Sequence, residues 1–395
     1  MSSSLEVLRA FAGLGLRSFG GPIAHLGYFR EEFVVRRRWL GEAAYAELVA
    51  LCQFLPGPAS SQVGFAIGLG RAGFTGALAA WAGFTLPSAA ALVAFAYGAR
   101  SLAGPTGAAL MHGLQLAAVA IVAQAVISMA RSFCRDAARI AIALGALAVL
   151  LAGGSGNAQI AAIAAGGVAG LILCRRVRRP ADGELPVPVS RAAGAAALAV
   201  FAALLVALPL ARRATGSEDL SLIEAFYRCG ALVFGGGHVV LPLLREAVVL
   251  PGWVSDGAFL SGYGAAQAVP GPLFSFAAYL GAVVHVGPRG IAGAALALAA
   301  IYLPGLLLLV GALPLWAGLK RARYAPAVVA GVHAAVVGLL AAALYNPVWV
   351  TAVRTRGDFA VAALGFVLLV AFRMPPLVVV ASGALGGLAL RLLPG

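Results

Sequence analysis

The chain has 395 residues, of which 62% are hydrophobic and only 11% charged. Soluble domains carry about a quarter charged residues, so a soluble globular protein is excluded and an all-α polytopic membrane protein is expected. The formal net charge of +14 fits the cytoplasmic excess of Lys and Arg in an inner-membrane protein of bacterial type, and it would also attract an anion. The basic residues are scattered between apolar runs, so nucleic acid is not an expected partner.

The first apolar segment, Leu5 to Ser18, is short for a span. Its polar start and its arginines, Arg9 and Arg17, argue against a cleavable leader. Phe19-Gly20-Gly21-Pro22 follows, a stretch no regular helix would choose. A charged stretch then carries Arg30, Glu31, Glu32 and Arg36-Arg37-Arg38. The run Glu42–Gly70 is long enough to span, but Pro56-Gly57-Pro58 cuts it in the middle. Further apolar runs lie at Gly73–Gly98, Ala108–Ala130, Ala137–Leu151 and Asn157–Cys174. A basic, proline-rich linker opens at Arg175-Arg176-Val177-Arg178-Arg179-Pro180, and one more span follows at Ala192–Leu210. The remaining runs are Ser221–Val233, a broken run Gly257–Val286, Gly290–Ala317, Ala325–Tyr345, Phe359–Phe372 and Pro376–Leu393.

The second half repeats the first. Phe19-Gly20-Gly21 and Arg30-Glu31 recur 215 residues later as Phe234-Gly235-Gly236 and Arg245-Glu246. Trp39, Gln53, Pro56-Gly57-Pro58 and Ser61 recur at an offset of 214 as Trp253, Gln267, Pro270-Gly271-Pro272 and Ser275. Gly73, Gly76 and Pro87 meet Gly290, Gly293 and Pro304 at an offset of 217. The expected organisation is a first repeat at 1–174, a linker with one connecting helix at 175–218, and a second repeat at 219–395. Counted as six, one and six, about thirteen spans result, and the odd linking helix makes the copies inverted repeats. With the N-terminus inside, Arg131, Arg135, Arg139, the Arg175 cluster and Lys320-Arg321-Arg323 fall inside. Arg36-Arg37-Arg38 falls outside, unless the first segment or the motif region is re-entrant.

Within hydrocarbon a helix break survives only where it is buried or lines a polar cavity, and paired breaks in two repeats point to a transport site. Each break creates a half-helix N-terminus with free N–H groups and a positive dipole end, which suits an oxyanion. Gln53, Ser60 and Ser61 in the first copy, with Gln267 and Ser275 in the second, can add donors. Gly20, Gly21, Gly235 and Gly236 can form an anion nest or a close helix contact. Arg30 and Arg245 can pair with a dianion or snorkel to headgroups. Glu31, Glu246, His25 and His238 are the candidates for coupling, although the two histidines do not align between the copies. Acidic residues are absent between Glu47 and Asp136 and between Asp256 and Asp358, which disfavours a cation pathway. No metal spacing, paired-cysteine motif, ATP-binding motif or nucleophile constellation occurs, so neither a cofactor nor an enzyme is expected.

The paired motifs resemble the chromate ion transporter family, in its long two-domain form. Phe19-Gly20-Gly21-Pro22, Arg30-Glu31 and Gln53-Phe54-Leu55-Pro56-Gly57-Pro58 with Ser60-Ser61 carry the resemblance in the first half. Phe234-Gly235-Gly236-Gly237-His238 and Gln267-Ala268-Val269-Pro270-Gly271-Pro272 carry it in the second. The resemblance implies a multi-pass inner-membrane protein that exports chromate without ATP and confers resistance. A sulfate or other oxyanion carrier is the alternative. A homodimer stays open as its assembly.

Overall fold

The computed structural model describes residues 3–101, 104–152, 158–174, 189–322 and 324–392. The basic linker from Arg175 to Pro188, and Arg323, lie outside them. Every regular element among the described residues is helical. Among the described residues five helices are long and apolar enough to cross a membrane: Ala59–Ala99, Pro105–Phe133, Arg191–Thr215, Gly290–Leu319 and Ala325–Ala352.

The chain opens with two hairpins rather than two spans. Helix α1 (Ser4–Gly15) is capped by Ser3, whose hydroxyl accepts from the Glu6 amide. Its 12 residues reach about 18 Å, too little to cross. The chain turns at Gly20, with φ 100°, into α2 (Gly21–Phe29), which continues as a π turn over Arg30–Arg36. This arm runs back along α1. The Phe11 ring stacks on Phe33 at 4.6 Å, and the Arg37 guanidinium lies 4.0 Å from Glu6 at the start of α1. Glu32 is buried on this arm and held by Arg17, Arg36 and Arg37 at 3.0, 2.9 and 2.7 Å.

Helix α3 (Glu42–Phe54) and the first part of α4 (Ala59–Ser101) form the second hairpin, with Pro56-Gly57-Pro58 at its tip. Helix α4 is interrupted at Ala72 and Gly73, which leaves a short arm, 59–71, and a long arm, 74–101. Arg71 closes the short arm, 5.0 Å from the Trp39 ring and 3.4 Å from Glu6. The short arm therefore ends where α3 begins. The run Glu42–Gly70 doubles back at its proline-glycine break, and of the two arms of α4 the long one has the length for a full crossing. Arg36-Arg37-Arg38 consequently stands at the same end as the N-terminus.

Helices α5 (Pro105–Phe133), α6 (Ala137–Leu151) and α7 (Ala158–Leu173) complete the first half, and α8 (Arg191–Thr215) leads to the second. There α9 (Glu218–Leu232) turns through Gly235 and Gly236 into α10 (Val240–Leu244), again followed by a π turn, Arg245–Val249. Helix α11 (Asp256–Ala268) descends to Pro270-Gly271-Pro272, and a 3-10 turn, Leu273–Ser275, leads into α12 (Phe276–Val283). The bases meet as before. Arg245 pairs with Asp256 at 2.8 Å, and the Gly287 amide donates to Glu218 at 3.1 Å. The long helix α13 (Gly290–Ala312) follows, then α14 (Trp316–Arg321), α15 (Ala325–Ala343), the short α16 (Val350–Ala352), α17 (Arg356–Val370) and α18 (Pro376–Leu392).

The halves interlock through exchanged helices. Helices α6 and α7 pack on α15, while α17 and α18 pack on α5. The exchange needs bare backbone at the crossings. A Cβ on Gly331 of α15 would lie 2.1 Å from the Gly166 carbonyl of α7, and one on Gly113 of α5 would lie 2.3 Å from the Gly383 carbonyl of α18. Small residues let helices approach closely where lipid offers no hydrophobic drive for association. The crossing helices also meet end to end. Tyr97, late in α4, stands against Gly290 at the start of α13. Trp316, beyond the other end of α13, donates to buried Glu47 of α3 at 2.7 Å.

Candidate oxyanion site at the crossed hairpin tips

Each Pro-Gly-Pro tip is bonded to the glycine turn of the other copy. The Gly57 amide donates to the Val233 carbonyl at 2.7 Å, and the Gly271 amide donates to the Ser18 carbonyl at 2.9 Å. Gly57 and Gly271 sit at φ 124° and 106°, a region that side chains with a Cβ avoid. The flanking prolines, Pro56 and Pro58 or Pro270 and Pro272, have no N–H to give, so the glycine amide is the donor the tip can offer. Beyond each tip a helix starts, with its free amides and positive dipole end.

The first break is braced by Gln62, whose Nε2 donates to the Pro56 carbonyl at 3.0 Å and to Gly305 of α13 at 2.9 Å. Sequence reasoning passed over this residue, because Phe276 stands at its place in the second copy and no repeat marked it. The second break is held differently. The Ser275 and Ser88 hydroxyls lie 2.6 Å apart.

A cavity of about 280 Å³ opens at the first tip, where Gln53 and Gly57 meet Gly235 and Gly236. Helix α5 lines it with Ser128 and Ser132, the link after α5 adds Arg135, and α15 adds His333. Arg135 is exposed, and its Nε donates to the Ser132 carbonyl at 2.9 Å. Among the described residues no carboxylate lines the cavity. The lining is largely apolar, with the Gln53 amide, two serines and the Arg135 guanidinium as its polar groups, and a cation without a competing acid suits an anion. Ser128 and Ser132 escaped the sequence reading, although their spacing puts them on one face of an apolar helix, and Arg135 enters that reading only as an inside charge.

The other predicted residues divide. Gly20 and Gly21 form the first glycine turn at φ 100° and 78°, and a Cβ on Gly21 would lie 3.9 Å from the His238 ring. His25 is buried at the second crossing, with Nε2 3.1 Å from the Ser18 carbonyl and Nδ1 3.4 Å from the Ser60 hydroxyl. His238 Nδ1 lies 2.7 Å from the Tyr263 hydroxyl, which Gln267 also approaches. Ser61 and Ser275 are both buried, Ser275 against Ser88 and Thr85 of α4. Arg30 is not brought to the cavity. It is exposed and pairs with exposed Glu42 at 2.7 Å. Glu31 is exposed beside it, and Arg245 and Glu246 line a separate groove with Gln159 and Asn346.

The chromate transporter family profile matches residues 5–171 and, a second time, 220–388. The chain belongs to the chromate transporter family. It is similar to the chromate transport protein of Pseudomonas aeruginosa, 29% identical over 97% of this chain and 91% of that one. It is also 29% identical to the chromate transport protein of Cupriavidus metallidurans, over 98% and 94% of the two chains. A probable chromate transport protein of Synechococcus elongatus is 28% identical over 86% of this chain and 83% of its own. No solved structure matches the chain. As a member of a transporter family, and with its apolar helices, the protein is a multi-pass membrane protein.

Proposed function

We propose that this transporter exports chromate across the inner membrane of a bacterial-type cell and thereby confers chromate resistance, driven by ion gradients rather than ATP. The observation that carries this reading is the pair of reciprocal bonds between tips and glycine turns, beside a cavity that holds an arginine and, among the described residues, no acid. The substrate comes from the relatives named above, and sulfate or another oxyanion carried on the same fold is the second reading.

In this proposal the two copies, 1–174 and 219–395, are inverted in the membrane, with 175–218 carrying the chain across between them. The contacts support the inversion. The hairpins of the first copy are based at Glu6, Trp39 and Arg71. Those of the second are based at Glu218 and Gly287, near Gly290, which Tyr97 touches at the far end of the long arm of α4. With the N-terminus in the cytoplasm, Arg36-Arg37-Arg38, Arg131, Arg135 and Arg139 all fall on the cytoplasmic side, in accord with the positive-inside bias. The cavity at Gly57, with Arg135 at its mouth, is then a cytoplasmic vestibule that collects the anion. Its polar groups are Gln53, Ser128, Ser132 and Arg135, beside the glycine turn at Gly235 and Gly236.

Everted membrane vesicles carrying the protein should accumulate labelled chromate when energised. Energised vesicles that accumulate no more than vector controls would defeat the chromate reading. Accumulation of sulfate without chromate would establish the alternative.

A further inference from the structure

We infer that a second oxyanion station, fully enclosed, lies between the two breaks and is built from the hydroxyls of Ser61, Thr85, Ser275 and Tyr302. This rests on the transport reading above and adds the groups that hold the dianion once it has left the vestibule at Gly57.

The four residues form two matched pairs. Ser61 and Ser275 stand in the first turn after each break, at an offset of 214. Thr85 and Tyr302 stand two residues before Pro87 and Pro304, at an offset of 217. Each copy therefore contributes one hydroxyl from a hairpin and one from a long helix to the same place. All four are buried, with exposures of 2%, 0%, 0% and 1%. The hydroxyls of Ser61, Thr85 and Ser275 lie within reach of the Tyr302 phenol, and Ser275 Oγ is 3.5 Å from the Thr85 carbonyl. Ser275 is satisfied by Ser88, yet Ser61 Oγ, Thr85 Oγ1 and Tyr302 Oη make no well-aligned hydrogen bond among the described residues.

Buried hydroxyls are normally paired, because an unpaired one forfeits its bonds to water. Three that converge at one point within an apolar interior mark a place built for something that accepts. Phe274 and Trp81 pack on the Tyr302 ring at 5.6 Å each, so the surroundings offer aromatic walls and no charge. The sign of the ligand follows from the helices. Ser61 and Ser275 sit at the starts of helices 59–71 and 276–283, whose positive dipole ends disfavour a cation there. Neutral donors at two such ends suit a deprotonated tetrahedral oxyanion, with up to four oxygens to share among four hydroxyls.

The test uses the full-length protein in lipid nanodiscs, titrated with chromate and, separately, with sulfate, and read by thermal stability and calorimetry. The wild type should be stabilised by its substrate. Tyr302→Phe and Thr85→Val, which each remove one hydroxyl at nearly constant shape, should weaken binding about tenfold or more. Ser61→Ala, read the same way, serves where either variant fails to fold. Wild-type affinity in the variants, with higher stability in the absence of ligand, would overturn the station and leave the transport reading intact. A wild type that responds to no oxyanion would overturn the transport reading itself.

Discussion

The Gly57 amide donates to the Val233 carbonyl across the boundary between the two copies, at 2.7 Å, and its mirror bond joins Gly271 to Ser18 at 2.9 Å. Neither tip glycine finds the acceptor for its amide within its own copy. Each is completed by the backbone that precedes the other copy's glycine turn, so the site belongs to both halves at once.

The exchange of helices sets the first expectation. Gly331→Leu and Gly113→Leu should each reduce the stability of the inserted protein by about 1–3 kcal/mol or more, since the added side chain must displace a backbone carbonyl 2.1 or 2.3 Å away. Gly13→Leu, which meets open space, should have little effect. Thermal unfolding in nanodiscs separates these cases.

Gln62→Leu should behave differently from Gln53→Leu. The first leaves the Pro56 and Gly305 carbonyls without their donor, which costs about 1–3 kcal/mol and loosens the tip. The second alters an exposed cavity residue and should raise the KM for chromate without lowering stability. Kinetics and unfolding measured on the same preparations distinguish the two.

Two arginines offer a matched contrast. Arg135→Gln removes the cation at the cavity mouth and should raise KM several-fold, more at low ionic strength than at high. Arg30→Gln breaks a solvent-exposed pair with Glu42 and should leave transport near wild type. A large loss in Arg30→Gln alone would return Arg30 to the site.

The hairpins make a topological prediction. In a variant freed of its four native cysteines, Ser4→Cys and Arg38→Cys should react with a membrane-impermeant thiol reagent from the same face. Gly216→Cys and Pro288→Cys should react only from the other. Labelling of Ser4→Cys and Arg38→Cys from opposite faces would contradict the returning arm that brings Arg37 to Glu6.

The motifs at the tips were legible in the sequence because Pro-Gly-Pro and Phe-Gly-Gly are poor helix formers placed within apolar runs. Apolar periodicity alone does not distinguish a kinked span from a reversed one, so Glu42–Gly70 reads as one broken crossing until Arg71 is found beside Trp39. Repetition was an uneven guide. It favoured Arg30 and Arg245, whose shared feature is the start of a π turn at the hairpin base. It hid Gln62, Ser132 and Arg135, which no repeated motif marks. Thr85 and Tyr302 fill matched positions with dissimilar side chains, and what they share, a hydroxyl, emerges only when both face the same point.

The central claim is that the anion crosses where the two tips meet, and paired glycine variants test it most directly. In Gly57→Ala the new Cβ must tolerate a φ of 124° and would lie 2.8 Å from Gln62 Nε2; in Gly271→Ala it meets a φ of 106° and lies 2.9 Å from Ser88 Oγ. Energised everted vesicles holding equal amounts of each inserted protein should take up labelled chromate with the wild type and lose at least about tenfold of that rate with either variant. Uptake at the wild-type rate by both would contradict the account.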